Sequence, residues 1–289
     1  MAVKKIKAVD YFFSLIQVNK THIKDMLPFI WVFGSSEHNS RRDMFQKWHL
    51  CNTHLISQEN RICTPEEYPN WINFNNYYNN LVDFERDIVS ISKGAIIFSE
   101  SVGSYAEIGA FSCFPFLYKN LLIVADEEHL DENSESFFYN GPILKIKGGE
   151  EESQSIWAIE NPSNFNQECL NISDYFQEVI KNQKVQILNK DSDRDITLLL
   201  IDLIELFPRR TKKDYEKILE KFSIEIKQFN FPKIFRLLQM LEIISSRKSG
   251  NNTLYELVNP ELYAPCIEYT GTISKPFERA LFKIEISDI

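Results

Sequence analysis

The residues best suited to chemistry crowd into one stretch, Ala95-Ile-Ile-Phe-Ser-Glu-Ser-Val-Gly-Ser-Tyr-Ala-Glu-Ile-Gly-Ala-Phe111. An apolar run ending at Phe98 reads as a buried strand. A small polar loop follows, in which Gly103 lets the backbone come close to a ligand. A helix beginning near Ser104 offers free amide N–H groups, a natural anion site. Glu107 lies one turn in, and its side chain leans back toward the start of the helix. A carboxylate so placed can act as nucleophile, as base or as counter-charge to a developing cation. The spacing also supports a plainer reading. Ser104 to Glu107 has the form of a capping box, in which Glu107 merely reaches back to the Ser104 amide. Glu100 and Glu85 are further acids that read either as participants or as solvated charges.

The elements around this stretch give it a place. Phe29 to Phe33 is a continuous apolar run that reads as a buried strand, ending at a turn, Gly34-Ser35-Ser36. Asn39 or Ser40 suits the cap of a helix over Arg41 to Leu50. His54 to Ser57 reads as a second strand, Ala95 to Phe98 as a third and Leu121 to Val124 as a fourth. Ile143 to Ile146 reads as a fifth, at the edge. Helical spacing recurs at Leu81, Phe84, Ile88 and Ile91, and again over Ile172 to Ile180. Strands and helices alternate and the strands are apolar throughout, which predicts an α/β fold with a parallel sheet covered on both faces. In such a sheet ligands bind outside the carboxyl ends of the strands, where the Glu100–Glu107 segment lies.

The last hundred residues differ in kind. Helices are expected over Ile196 to Phe207 and Lys212 to Phe222, and from Pro232 to Leu241. Two β-type runs then flank the polar turn at Lys248 to Asn252. Three helices and a hairpin predict a small α+β winged helix-turn-helix. The expected domains are 1–185, with a docking helix over 8–18, and 190–289. The polar stretch Asn182 to Asp193 is the expected boundary.

Composition narrows the class. Of 289 residues, 44% are apolar and 25% charged, which fits a globular protein and excludes wholesale disorder. Net charge is −9, yet from Asp191 onward 15 Lys+Arg nearly balance 16 Asp+Glu, so the acidity belongs to the N-terminal part. A general polyanion-coating role is excluded, since binding phosphates along a duplex needs a basic surface. The five Cys are scattered without a CxxC pair, and the five His show no metal-site spacing beside them, so no metal is expected. Asp10 and Gln17 interrupt any apolar N-terminal run. Neither a membrane span nor a signal peptide is expected, and the location expected is cytoplasmic.

The segment from Phe98 to Ser112 resembles the nucleoside deoxyribosyltransferase superfamily, whose members carry Gly-(Ser/Thr)-x-x-Glu-(Ile/Leu)-Gly-x-(Ala/Phe) after a strand. It is more closely similar to retron-associated effectors, which join a deoxyribosyltransferase-like domain to a C-terminal winged helix. Trp31 to Ser35, Arg42, Phe84-Glu85 and Phe137 to Ile143 also match. The resemblance implies an N-glycosidase that cleaves NAD or a nucleotide, with Glu107 as nucleophile or as stabiliser of the oxocarbenium-like state. NAD is then a substrate, and no cofactor is implied. Glu100 or Glu85 would position ribose hydroxyls or activate water. Gly34, Ser35, Gly103 and Ser104 would meet phosphate, Arg42 a pyrophosphate, and Ser101 and Asn140 the substrate. The transferases carry Asp six residues before the nucleophile, where this chain has Ser101. Either Glu100 takes over that role or base handling differs.

The same resemblance implies a toxic effector of anti-phage defence, held by a retron reverse transcriptase and its RNA-linked single-stranded DNA (msDNA). It also leaves room for a homo-oligomer within a larger assembly. Lys233, Arg236, Arg247 and Lys248 would touch that nucleic acid or protein. A competing reading is a nucleotide-sensing winged-helix transcription regulator without catalysis. A phosphoribohydrolase ranks lower, because those enzymes use Gly-Gly-x-Gly-Thr where this chain has Ser-Val-Gly-Ser.

Overall fold

The computed structural model describes residues 2–52, 60–68, 77–133, 135–148, 155–159, 164–181, 185–263, 265–272 and 276–287. The chain divides into two compact units. One is Leu27–Gln183; the other joins Met1–Met26 to Lys184–Ile289. In chain order the first elements are α1 (Ala2–Leu15), β1 (Ile16–Ile23), β2 (Leu27–Phe33), α2 (Arg41–Cys51), β3 (Arg61–Cys63), α3 (Leu81–Ser90) and β4 (Ser92–Phe98). There follow α4 (Val102–Phe111), β5 (Leu121–Asp126), α5 (Leu144–Lys147), β6 (Ile156–Ile159), α6 (Phe165–Lys181) and β7 (Gln186–Ile187). The remainder is α7 (Asp193–Leu206), α8 (Lys212–Lys221), α9 (Phe231–Met240), β8 (Ile244–Ser249), β9 (Asn252–Leu257), β10 (Ile267–Gly271) and α10 (Arg279–Ser287).

The unit Leu27–Gln183 is an α/β fold built on a parallel sheet of five strands, ordered β3-β2-β4-β5-β6. Because side chains alternate along a strand, each central strand feeds two cores. Ile30, Val32, Ile96, Phe98, Leu122 and Val124 point to one face, where Phe45 of α2 and Cys169, Ile172 and Phe176 of α6 close over them. Trp31, Phe33, Ala95 and Ile97, one residue out of step, are buried as well. On their side the Phe33 and Phe111 rings meet edge to face at 5.6 Å, which brings α4 onto the sheet. Two covered faces explain why these strands read as unbroken apolar runs.

The strand order has a functional consequence. Within this unit the first strand, β2, has its successor β3 on one side and β4 on the other. The connections therefore leave β2 and β4 in opposite directions and open a crevice at their carboxyl ends, the place where doubly wound sheets bind ligands.

In the other unit, β1 runs antiparallel between β10 and β7, with Ile23 opposite Ile267 and His22 opposite Ile187. Three helices, α7 to α9, precede an antiparallel hairpin in which Ile244 faces Leu257 and Ser249 faces Asn252. Phe12 is fully buried among the rings of Phe13, Phe207, Phe222, Tyr269, Phe277 and Phe282. Burying one such ring contributes about 1.5–3 kcal/mol. This packing, with the β1 ladders, groups the N-terminal segment with the last hundred residues. The structure groups Met1–Met26 with Lys184–Ile289 where the expected domain was 1–185, with a docking helix over 8–18, and the helix itself ends at Leu15.

Two further expectations meet the structure differently. Ile143 to Ile146 is no strand: Tyr139–Ile143 forms a π-helical turn that runs into α5, and Ile143 and Ile146 are both fully buried three residues apart. That spacing puts both on one helical face, whereas a strand would send them to opposite sides; the short apolar run alone leaves either open. The fifth strand is β6. The expected strand His54 to Ser57 lies outside the described residues. No helix among the described residues is long and apolar enough to cross a membrane.

Candidate active site at the carboxyl edge of the parallel sheet

Glu107 is positioned by α4, and α4 starts earlier than the sequence suggested. Ser101 is its N-cap: the Ser101 hydroxyl accepts from the Ser104 amide at 3.1 Å, and the Ser104 hydroxyl accepts from the Ser101 amide at 2.9 Å. That reciprocal pair is the capping box of this helix. Glu107 therefore lies in the second turn and takes no part in capping. Ser104, Ile108 and Phe111 are buried along one face of α4, and Glu107 borders that face. Its side chain is half-buried, and its Oε2 oxygen is buried with no hydrogen-bond partner among the described residues. An ionised oxygen left in that state is costly, so its presence in a folded chain calls for a reason.

Three other charged groups surround it. Glu85, on α3, is 5% exposed. Burial, reinforced by the negative charges of Glu107 and Glu66, pushes its pKa up to about 8. Burial raises Glu107 to about 7, where the Arg42 guanidinium pulls it down and Glu66 pushes it up. Arg42 Nη1 donates to Glu66 Oε1 at 3.1 Å, while Arg42 Nε is buried and unpartnered. The nearby positive charge belongs to Arg42, and burial outweighs it. Two carboxyls that repel one another titrate as a pair. Between those two pKa values the pair holds about one proton, chiefly on Glu85, so one member is an acid while the other is an anion.

The remaining predicted residues fall into several settings. Glu100 does not face the pair as a free acid. Its carboxylate accepts from the amides of Ser35 at 3.1 Å, Arg41 at 2.6 Å and Arg42 at 3.1 Å, binding the β2–α2 turn to the end of β4. Gly34 has φ +146, and a Cβ there would stand 2.8 Å from Glu100 Oε1, so the turn requires glycine. Ser40, one of the two expected caps, accepts from the Asp43 amide. The Ser104 hydroxyl is committed to Ser101 and to the Glu100 amide. Gly103 is exposed in the first turn of α4, and no backbone crowds the place of a Cβ. Asn140 is on the π-helical turn, with its amide donating to Ser136 O at 3.1 Å, and Phe138 of the same segment packs on Tyr105 of α4. In the other unit, Lys233 and Arg236 are half-buried on α9, and Arg247 and Lys248 are exposed on β8.

Sequence reasoning missed Glu66. It belongs to a short 3-10 turn, Pro65–Glu67, in a stretch without period, and only the fold brings it to Arg42. It also missed Asp126, which pairs with Arg41 at 2.5 Å. Asp126, Glu128 and His129 bring ligand atoms within 4.8 Å of one another. The expectation of no metal was drawn from Cys and His spacing, which does not address this trio.

The fold and site together define a class: a doubly wound α/β domain with two neighbouring, water-poor carboxyls on α3 and α4, accompanied by a mainly helical unit that carries a hairpin. The chain belongs to the STM3845 retron effector protein family, whose model matches residues 38–246. It is also similar to an Escherichia coli protein named "Retron Ec73 putative ribosyltransferase/DNA-binding protein", with 29% identity over 151 residues. That match covers 48% of this chain and 45% of the relative, so it spans less than half of the relative's length.

Proposed function

We propose that this retron effector hydrolyses the N-glycosidic bond of NAD or a nucleotide, with Glu107 acting at the anomeric carbon in a deoxyribosyltransferase-like domain. The observation that carries this reading is the buried, unpartnered Oε2 of Glu107 beside Glu85. With the shared proton on Glu85, Glu107 is the anion. The bond to the base breaks and its electron pair leaves on the base nitrogen. Positive charge then develops on the sugar, and a carboxylate stabilises it or bonds to it. Water supplies the oxygen that finally bonds to the anomeric carbon, and its proton passes to the base or to solvent. Glu85, out of water and next to Glu107, sets which of the two acids is charged.

The relative's name couples ribosyl chemistry with DNA binding. Helices α7 to α9 with the β8–β9 hairpin are read here as a winged helix. Its exposed Arg247 and Lys248 fit contact with msDNA or with the reverse transcriptase. On this reading the activity is a toxin's, restrained by that complex. The test is direct. The protein, alone and with its retron partners, is incubated with NAD and with nucleosides or nucleotides, and released base is measured by chromatography. Release that Glu107→Gln abolishes supports the proposal. Tight operator binding with no release from any of these substrates supports the nucleotide-sensing regulator instead.

A further inference from the structure

The β2–α2 turn is where a doubly wound sheet ordinarily offers amides to a ligand's anionic group. In this chain that offer is already taken. The carboxylate of Glu100 accepts from three amides, those of Ser35, Arg41 and Arg42, at 3.1, 2.6 and 3.1 Å. Gly34 exists in a conformation that leaves room for this carboxylate and for little else, since a Cβ would come within 2.8 Å of Glu100 Oε1 and 3.0 Å of Arg42 Cβ. The two cations flanking the turn are also occupied, Arg41 by Asp126 at 2.5 Å and Arg42 by Glu66 at 3.1 Å. Three amides and two guanidinium groups that would suit a phosphate thus already face the protein's own carboxylates.

We infer that Glu100 is a specificity determinant: its carboxylate fills the anion position of the β2–α2 turn, so the ligand group that meets this turn is uncharged, a sugar hydroxyl in place of a phosphate. This rests on the carboxyl edge of the sheet being the ligand site. It replaces the expectation that Gly34, Ser35 and Arg42 cradle phosphate. The physical ground is charge: a phosphate brought here would meet a fixed carboxylate in its place and two arginines already facing carboxylates. Any phosphate a ligand carries is received elsewhere.

Inorganic phosphate is the probe. In the wild-type full chain, titrating phosphate while following the backbone amide resonances of Ser35, Arg41 and Arg42 is expected to leave all three unmoved. Saturable shifts there overturn the inference. Glu100→Ala is expected to expose the three amides and to bind phosphate about tenfold tighter than wild type, read as a phosphate-dependent rise in melting temperature. A folded Glu100→Ala with wild-type phosphate affinity also overturns it, since Glu100 would then be a helix cap and no more. If Glu100→Ala does not fold, the wild-type titration decides alone. Base release from NAD is scored separately. Its absence with the phosphate results as expected removes the glycosidase reading and leaves this one standing.

Discussion

Asp202 and Glu107 are both carboxylates taken out of water, and the chain treats them differently. Asp202, on α7, is fully buried, and each of its oxygens accepts from Arg279 Nη2 at 2.8 Å. Tyr269 OH donates to it at 2.7 Å and Tyr263 OH at 3.2 Å. Glu205, one turn on, accepts from Arg279 Nη1 at 2.6 Å and from Lys283. Glu107 has an oxygen with no donor, and its neighbour Glu85 is kept neutral by burial and by like charge. A buried ion that serves the fold is surrounded by cations and hydroxyls, because the fold suffers if it is not. An acid left under-satisfied beside another acid is maintained at a cost in stability, and such costs gather where chemistry is done.

The contrast breaks most visibly through Glu107. On the proposed reading, Glu107→Gln is expected to lower base release by about 10³-fold or more while leaving the fold intact, because Glu107 takes no part in the helix cap and its Oε2 has no hydrogen-bond partner among the described residues. The measurement is single-turnover release of base alongside a urea unfolding curve. A variant that unfolds easily and retains its rate would put Glu107 in the same category as Asp202. The reciprocal variant is Arg279→Met. It strands Asp202 and Glu205 without their shared cation and is expected to cost about 3–5 kcal/mol in the unfolding curve, with base release per folded molecule unchanged. A loss below about 1 kcal/mol would show that the paired cluster is as dispensable to the fold as the unpaired one.

Acidity sharpens the comparison further. In the unfolded chain both glutamates have ordinary pKa values near 4.3, whereas burial raises Glu85 to about 8 and Glu107 to about 7 in the fold. Between those values the folded chain holds protons that the unfolded chain has released. The contribution of these two groups to stability therefore falls as pH rises from about 4.3 toward 8, and levels off above that. Glu85→Gln removes the larger part of this fall. It is expected to stabilise the protein by about 2–4 kcal/mol at pH 9 and by almost nothing at pH 4, in thermal melts at matched ionic strength. A difference independent of pH would mean that Glu85 is not held neutral by its surroundings.

Much of the sheet was legible because β2, β4 and β5 are buried on both faces, and a doubly covered strand has no polar alternation to confuse with anything else. The short edge strands β3 and β6 carry too few residues to announce themselves. The short apolar run Ile143 to Ile146 leaves helix and strand both open, and only packing chose the helix. The ladder of β1 with β10 pairs residues from the two ends of the chain, so no local window contains it. The same division holds at the site. The Ser101–Glu107 segment was visible as a segment, but its cap was placed three residues late, because Ser101 and Ser104 are both good caps and the loop length decides between them. The engagement of Glu100 with the β2–α2 turn, and of Glu66 with Arg42, depends on two elements meeting in space.

The smallest expected effect separates two residues of one helix. Ser101 accepts from the Ser104 amide and Ser104 accepts from the Ser101 amide, so the cap of α4 is made without Glu107. Ser101→Ala removes the oxygen that accepts from the Ser104 amide and is expected to cost about 1 kcal/mol of stability. Base release per folded molecule is expected to fall much less than in Glu107→Gln, because the carboxylate stays on the face that Ser104, Ile108 and Phe111 bury. Unfolding curves and release rates on the same two preparations are expected to cross: stability lost in Ser101→Ala, rate lost in Glu107→Gln. Were Glu107→Gln to cost the 1 kcal/mol instead, with the rate spared, Glu107 would be the cap that the bare spacing allows. The unpartnered oxygen would then carry no chemistry.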